Sequence, residues 1–175
     1  MLRERLLEAF KEIGFDEYKE IQSCDVVFSK DVFDQCAMNT CGHFGKNHGC
    51  PPLAGGEEEG KARVLKYKNG FLLCKIVSII SRKGIEESIE LVANINNELR
   101  RVMQDQEVLV LGAGPCTVCK RCGALDNKPC FFPEKTQYSM EGSGIDVVRM
   151  AIDHKMTYNA GRGKVGYFTL VLYNA

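Results

Sequence analysis

Apolar residues recur along the chain at two periods, and the period predicts the element. Leu2, Leu6, Phe10 and Ile13 stand three or four residues apart with Gly14 behind them, which predicts a helix over 2–13 closed by a left-handed glycine. Val26-Val27-Phe28 lacks that spacing and predicts a short strand within 21–29, with Cys24 packed inside it. Gly55-Gly56 and three glutamates open a helix to about Lys68, with Lys66 and Lys68 in its last turn where the helix dipole favours cations. Phe71 to Ile80 reads as a largely buried strand in which Cys74 fills the core. Ile85, Ile89, Val92, Ile95, Leu99 and Val102 mark a long amphipathic helix, and Val108 to Leu111 form the next strand. Ser143 and Asp146 resemble a capping box opening a helix to about Lys155, with Ile145, Val148, Ile152 and Met156 on its apolar face. Val165 to Tyr173 is apolar on both faces and is expected inside the sheet.

Residues 71–112 therefore form a strand, helix, strand unit, which predicts two parallel strands. The expected fold is α/β, with α+β as its variant. It is a single domain over 1–175, built on one mixed, partly parallel sheet of about four strands with helices packed on it. Two stretches escape both periods, 36–52 and 114–133. One follows the strand near 21–29 and the other the strand at 108–111. If those strands are parallel, both stretches emerge at one sheet edge, where ligands of open α/β sheets bind.

Both stretches are rich in cysteine. The later one holds Cys116, Cys119 and Cys122, two residues apart, and then Cys130 behind Pro129. That spacing is close to the ferredoxin run, in which a coiled backbone turns thiols toward a 4Fe-4S cluster. Zinc, which favours two separated CxxC pairs, is the alternative. Lys120, Arg121 and Lys128 would favour thiolates there. The early stretch holds Cys36, Cys41 and Cys50 among glycines and before Pro51-Pro52, so it can wrap a ligand. Its three thiols leave a fourth position to Cys24, to His43 or His48, or to water or an exogenous ligand, and the histidines keep a mixed zinc site open.

Charge and composition narrow the partners. The chain carries 23 Lys plus Arg against 23 Asp plus Glu, without the basic footprint of a nucleic-acid binder. No apolar signal core appears near Arg3, Glu4 and Arg5, and Phe71 to Ile80 is too short to span a bilayer. A cytoplasmic protein is expected, with neither nucleic acid nor membrane among its partners. Nine cysteines, an odd number, then point to thiols used as ligands, since disulfides rarely persist in the cytosol.

With both cysteine stretches placed, the chain resembles the family of predicted cysteine-rich metal-binding proteins of anaerobic bacteria and archaea. The resemblance rests on Cys36, Cys41, Phe44-Gly45-Lys46-Asn47 and Cys50-Pro51-Pro52. It continues through Gly112-Ala-Gly114-Pro115-Cys116, Cys119, Cys122, Cys130, Pro133-Glu134-Lys135, Ser139-Met140-Glu141 and Gly144-Ile145-Asp146-Val147. Relatives carry cysteine where this chain has Ser143, so no metal role is expected of Ser143. The resemblance implies metal binding, with iron-sulfur as its form, and supplies no reaction. The leading functional expectation is electron transfer to a redox partner protein through two 4Fe-4S clusters. The alternatives are an enzyme whose three-cysteine cluster activates a small molecule, and a zinc-binding structural module.

Overall fold

A computed structural model describes residues 1–174. Helix α1 (Leu2–Ile13) ends as its spacing predicts: Gly14 takes φ 92°, and its N–H donates to the Phe10 carbonyl at 3.1 Å. Strand β1 (Glu17–Gln22) follows, then α2 (Lys30–Gln35), α3 (Glu57–Leu65), β2 (Asn69–Ser78), α4 (Arg82–Val102), β3 (Val108–Leu111), α5 (Val147–Asp153) and β4 (Lys164–Tyr173).

The four strands lie in the order β1-β2-β4-β3, and every neighbouring pair is antiparallel. This corrects the expected partly parallel sheet. β2 and β3 do run in the same direction, because both oppose β4, but β4 stands between them. A strand, helix, strand unit specifies direction; it does not stop a later strand from taking the space between. β4 suits that interior place because, like β2 over Phe71–Cys74, it is apolar on both faces: Phe168, Leu170 and Leu172 face one layer, Val171 and Tyr173 the other.

Those two layers divide the core. On one face α1 and α4 pack Leu6, Phe10 and Leu99 against Phe71, Leu73 and Val171. On the other, Val64 of α3 and Met150 of α5 join Leu72, Cys74, Met140 and Ile145. Cys74 is fully buried, as its strand position predicts. The apolar stripe of α4 is only half used: Val92 and Leu99 are buried, whereas Ile85 and Ile89 remain 45% and 47% exposed.

Three local expectations are corrected. Residues 23–25 form a 3-10 turn instead of a strand, because the Asp25 carboxylate accepts the Gln22 N–H at 2.9 Å and turns the chain out of the sheet. Cys24 is consequently exposed, not packed. Helix α3 stops at Leu65, short of Lys68, since Lys68 already feeds β2 and accepts the Ser23 N–H at 3.0 Å. At α5 the capping register is offset: Asp146 is itself the N-cap, accepting the Arg149 N–H at 2.9 Å, while Ser143 closes a preceding turn and donates to the Ser139 carbonyl at 2.8 Å. The helix ends at Asp153 because Lys155 adopts a left-handed φ of 54°. Among the described residues no helix is long and apolar enough to cross a membrane.

Candidate metal centre

The later cysteine loop is an excursion pinned at one point. β3 runs into Gly112, which bridges Ser139 in parallel; the Gly112 N–H donates to the Tyr138 carbonyl at 3.2 Å, and the Met140 N–H to the Gly112 carbonyl at 2.9 Å. Within the excursion Cys116, Cys119, Cys122 and Cys130 line one pocket of about 20 Å³, with the ring of His48 beside them. Two backbone donors already aim at sulfur: the Gln137 N–H at Cys116 Sγ and the His48 N–H at Cys122 Sγ, both at 3.5 Å. The Thr136 hydroxyl lies 3.4 Å from Cys130 Sγ. Such donors stabilise thiolate over thiol, and hydrogen bonds to sulfur tune a thiolate-bound cluster.

Helix α4 buttresses this loop. Gln137 accepts the Thr117 N–H at 3.0 Å and donates to Asn97 Oδ1 at 2.8 Å, and Arg100 donates to that same Asn97 oxygen at 3.1 Å and to the Val110 carbonyl at 3.0 Å. Of the loop cations, Arg121 is spent on Asp126 at 2.8 Å.

The early loop forms a second chamber. Cys36, where α2 ends, joins Cys41 and Cys50 around a cavity of about 200 Å³ that His43 and Glu141 also line. One water needs about 10–15 Å³ measured in this way, so the chamber has room for a polyatomic occupant. The thiols raise one another's pKa. Burial first, then Cys41, Cys36, Cys116 and Cys122, pushes Cys50 up to about 12. Burial, then Cys41 and Glu141, raises Cys36. Desolvation, then Cys116, Cys130 and Cys122, raises Cys119. That Cys50 feels both Cys116 and Cys122 brings the two thiol groups within electrostatic reach of each other. Crowded thiols of this kind ionise readily only when a cation enters.

Asn47 and Gly49 join the loops. Buried Asn47 donates to the Cys116 carbonyl at 3.1 Å and accepts the Gly49 N–H at 2.8 Å. Gly49 lies so close to the later loop that a Cβ there would fall 2.2 Å from the Gln137 carbonyl oxygen and 2.8 Å from Cys116 Cβ.

The loops thus meet, but not for the expected reason. β1 opposes β2 and so runs against β3, which removes the parallel-strand premise. Instead the chain doubles back after β1: the Ser29 N–H donates to the Gly144 carbonyl at 2.7 Å and the Asp146 N–H to the Val27 carbonyl at 2.9 Å, which carries α2 and Cys36 over to the end of β3.

All seven predicted cysteines fall into the two groups, four in one and three in the other. The proposed extra donors separate. Cys24 lies outside both chambers, its thiol donating to Gln22 Oε1 at 3.6 Å. His48 borders the later pocket with Nε2 placed 2.9 Å from the Lys128 carbonyl oxygen, and only His43 borders the early chamber. Ser143 lines neither. Among the described residues, no three His, Cys, Asp or Glu side chains converge as they stand on a single ion. The thiols line cavities; they do not close on one point at the roughly 2.3 Å that zinc demands. Sequence reasoning missed Asn47, Gln137 and Glu141. Asn47 and Glu141 did stand inside motifs of the resemblance, the signal by which they could have been found.

A family model described as predicted metal-binding protein (DUF2284) matches residues 19–173. The chain belongs to this family. The match runs from within β1 to the last residue of β4 and contains both thiol chambers, so DUF2284 membership and the donor chemistry agree on metal binding as the predicted property. No curated protein and no solved structure matches the chain.

Proposed function

We propose that the two chambers hold iron-sulfur clusters of the 4Fe-4S kind and that the protein passes electrons to or from a partner redox protein. The observation that carries this reading is the division of the thiols: four line one chamber and three line its neighbour, with Cys50 close enough to feel Cys116 and Cys122. Soft thiol donors fit iron-sulfur clusters and zinc alike. The volume of the early chamber supports the larger occupant. Bound clusters supply one-electron chemistry. The chain's own part is to deliver the thiolates, to aim the Gln137 and His48 N–H groups at sulfur, and to hold the two chambers side by side through Asn47.

A second reading draws on the three thiols of the early chamber. With one ligand position not filled by cysteine and a cavity of about 200 Å³ around it, the chamber supports binding and activation of a small molecule. Anaerobically prepared protein, assayed for iron, zinc and acid-labile sulfide and followed by visible absorption, tests the first reading. Brown protein with iron and sulfide is expected, and colourless protein with zinc and no sulfide overturns it. A redox titration with and without small anionic ligands then divides the readings, because only an exchangeable position changes its spectrum when occupied.

A further inference from the structure

We propose that the groove along the outer edge of β3 is the docking site for an extended acidic segment of a partner protein. The partner's role rests on the electron-transfer reading; the surface itself does not.

β3 stands last in the strand order and pairs with β4 alone, so no strand lies along its other side until Gly112 meets Ser139. A groove of about 1000 Å³ runs there. Its floor is apolar, made by Val108, Leu109, Val118 and Pro133, and its walls are the last turns of α3 and α4 and residues 133–138. Exposed edges are usually blunted by charges of their own, because an unpaired strand templates another chain, yet β3 is Val-Leu-Val-Leu.

The charge is on the walls, and it is one-sided. Arg63, Lys66, Arg100, Arg101 and Lys135 line the groove against a single carboxylate, Glu134, in a chain whose cations and carboxylates are equal in number. Lys66 is paired with Glu107 and Arg101 with Glu98. The other three enter no ion pair among the described residues. Arg63 stacks on the Tyr138 ring at 3.5 Å and donates to the Ala54 carbonyl, while Arg100 donates only to the neutral oxygens of Asn97 and Val110. Lys135 stands 5.5 Å from the centre of the Phe132 ring.

The apolar floor favours a peptide over a simple anion, and the cations select one that carries carboxylates. Strand addition supplies the geometry: main-chain hydrogen bonds to an open edge give affinity, and alternate side chains give specificity. The groove and the four-thiol pocket share Val118, so a segment seated there brings its protein against the later cysteine loop.

The test uses the whole chain as purified and a fluorescent octapeptide in which Glu alternates with Val, followed by anisotropy. Saturable binding is expected, weakening as salt is raised, with none of the matching Lys and Val peptide. Lys66→Glu and Lys135→Glu, both exposed and made together, should weaken binding about tenfold. Lys83→Glu, at the far end of α4, should leave it unchanged. A photoreactive group in the middle of the peptide should label residues 108–110 and 133–138. No saturable binding, labelling elsewhere, or unchanged binding by the double variant overturns the proposal. Equally tight binding of inorganic tripolyphosphate or of a single-stranded oligonucleotide also overturns it, in favour of a general anion site. Brown protein that ignores the peptide removes this surface and leaves electron transfer standing, whereas colourless protein that binds it does the reverse.

Discussion

The later cysteine loop is held by regular structure, and the early loop is held by the later one. Residues on either side of 113–138 are bridged at Gly112 and Ser139, and α4 braces the loop through Asn97 and Arg100. The early loop has α2 at one end and the Pro51-Pro52 exit at the other. Between them Asn47, His48 and Gly49 rest on Cys116, Cys122 and Gln137. The chambers differ in the same sense: four thiols around a tight pocket, against three around a wider cavity. The difference teaches that the two chambers are not independent. Whatever loosens the later loop should reach the early chamber, and the reverse should hold far less.

The largest effect is expected from the cysteines. Cys119→Ser should remove the proposed later centre and also lower occupancy of the early one, whereas Cys41→Ser should remove the early centre alone. Metal and sulfide assayed per chain, in both variants, check this. Equal and separate losses would break the dependence.

Next comes pH. In the metal-free chain, Cys50 and Cys74 have folded pKa values pushed from 9.0 up to about 12, burial being the first cause for each. A raised folded pKa contributes stability that is fully present below the unfolded value and lost as pH rises through the folded one. Metal-free protein should therefore lose stability between pH 9.0 and about 12, read by denaturant midpoint against pH. Metal must displace the Cys50 proton at neutral pH, so acidification should release metal from the early chamber before the later one, followed by chelator absorbance.

Asn47→Ala tests the joint itself. Its loss leaves the Gly49 N–H and the Cys116 carbonyl without their partner, and a cost of about 2 kcal/mol in unfolding free energy is expected. Faster release of early-chamber metal to a chelator should accompany it. The smallest effect is reserved for Cys74→Ser, which lines neither chamber: metal content unchanged, with a loss of about 1 kcal/mol in a denaturant titration.

How far the sequence foretold this varies with the kind of information needed. β3 occupies 108–111 as its apolar run predicts, and β4 is interior, paired on both edges, as its apolarity on both faces predicts. Adjacency was beyond reach, since periodicity says which face a residue takes and not which strand lies beside it. The grouping of Cys116, Cys119, Cys122 and Cys130 was local and could be read from spacing. The ties among Asn47, Gln137 and the Cys116 segment join residues 69 and 21 positions apart, which no local pattern encodes. Cys24 was misplaced by a single carboxylate, Asp25, that turned a plausible strand into a turn.

One feature of the sheet bears on how the molecule comes into being. β4 is last in sequence and central in space, pairing with β2 over Lys164–Tyr173 and supplying β3 with its sheet neighbour. During synthesis β1 and β2 can associate as soon as both exist, but β3 must wait unpaired for residues more than fifty positions downstream. Until they arrive, the segment that leads into Cys116 has no fixed origin, and its thiols emerge from the ribosome before the scaffold that will orient them. A nascent chain stalled ahead of residue 164 would already carry all nine cysteines, the seven that line the chambers among them, open to oxidation and to adventitious metal. Assembly of the proposed centres is thus tied to completion of the final strand, which makes folding slow in the manner of long-range β pairing and makes its timing relative to metal delivery matter.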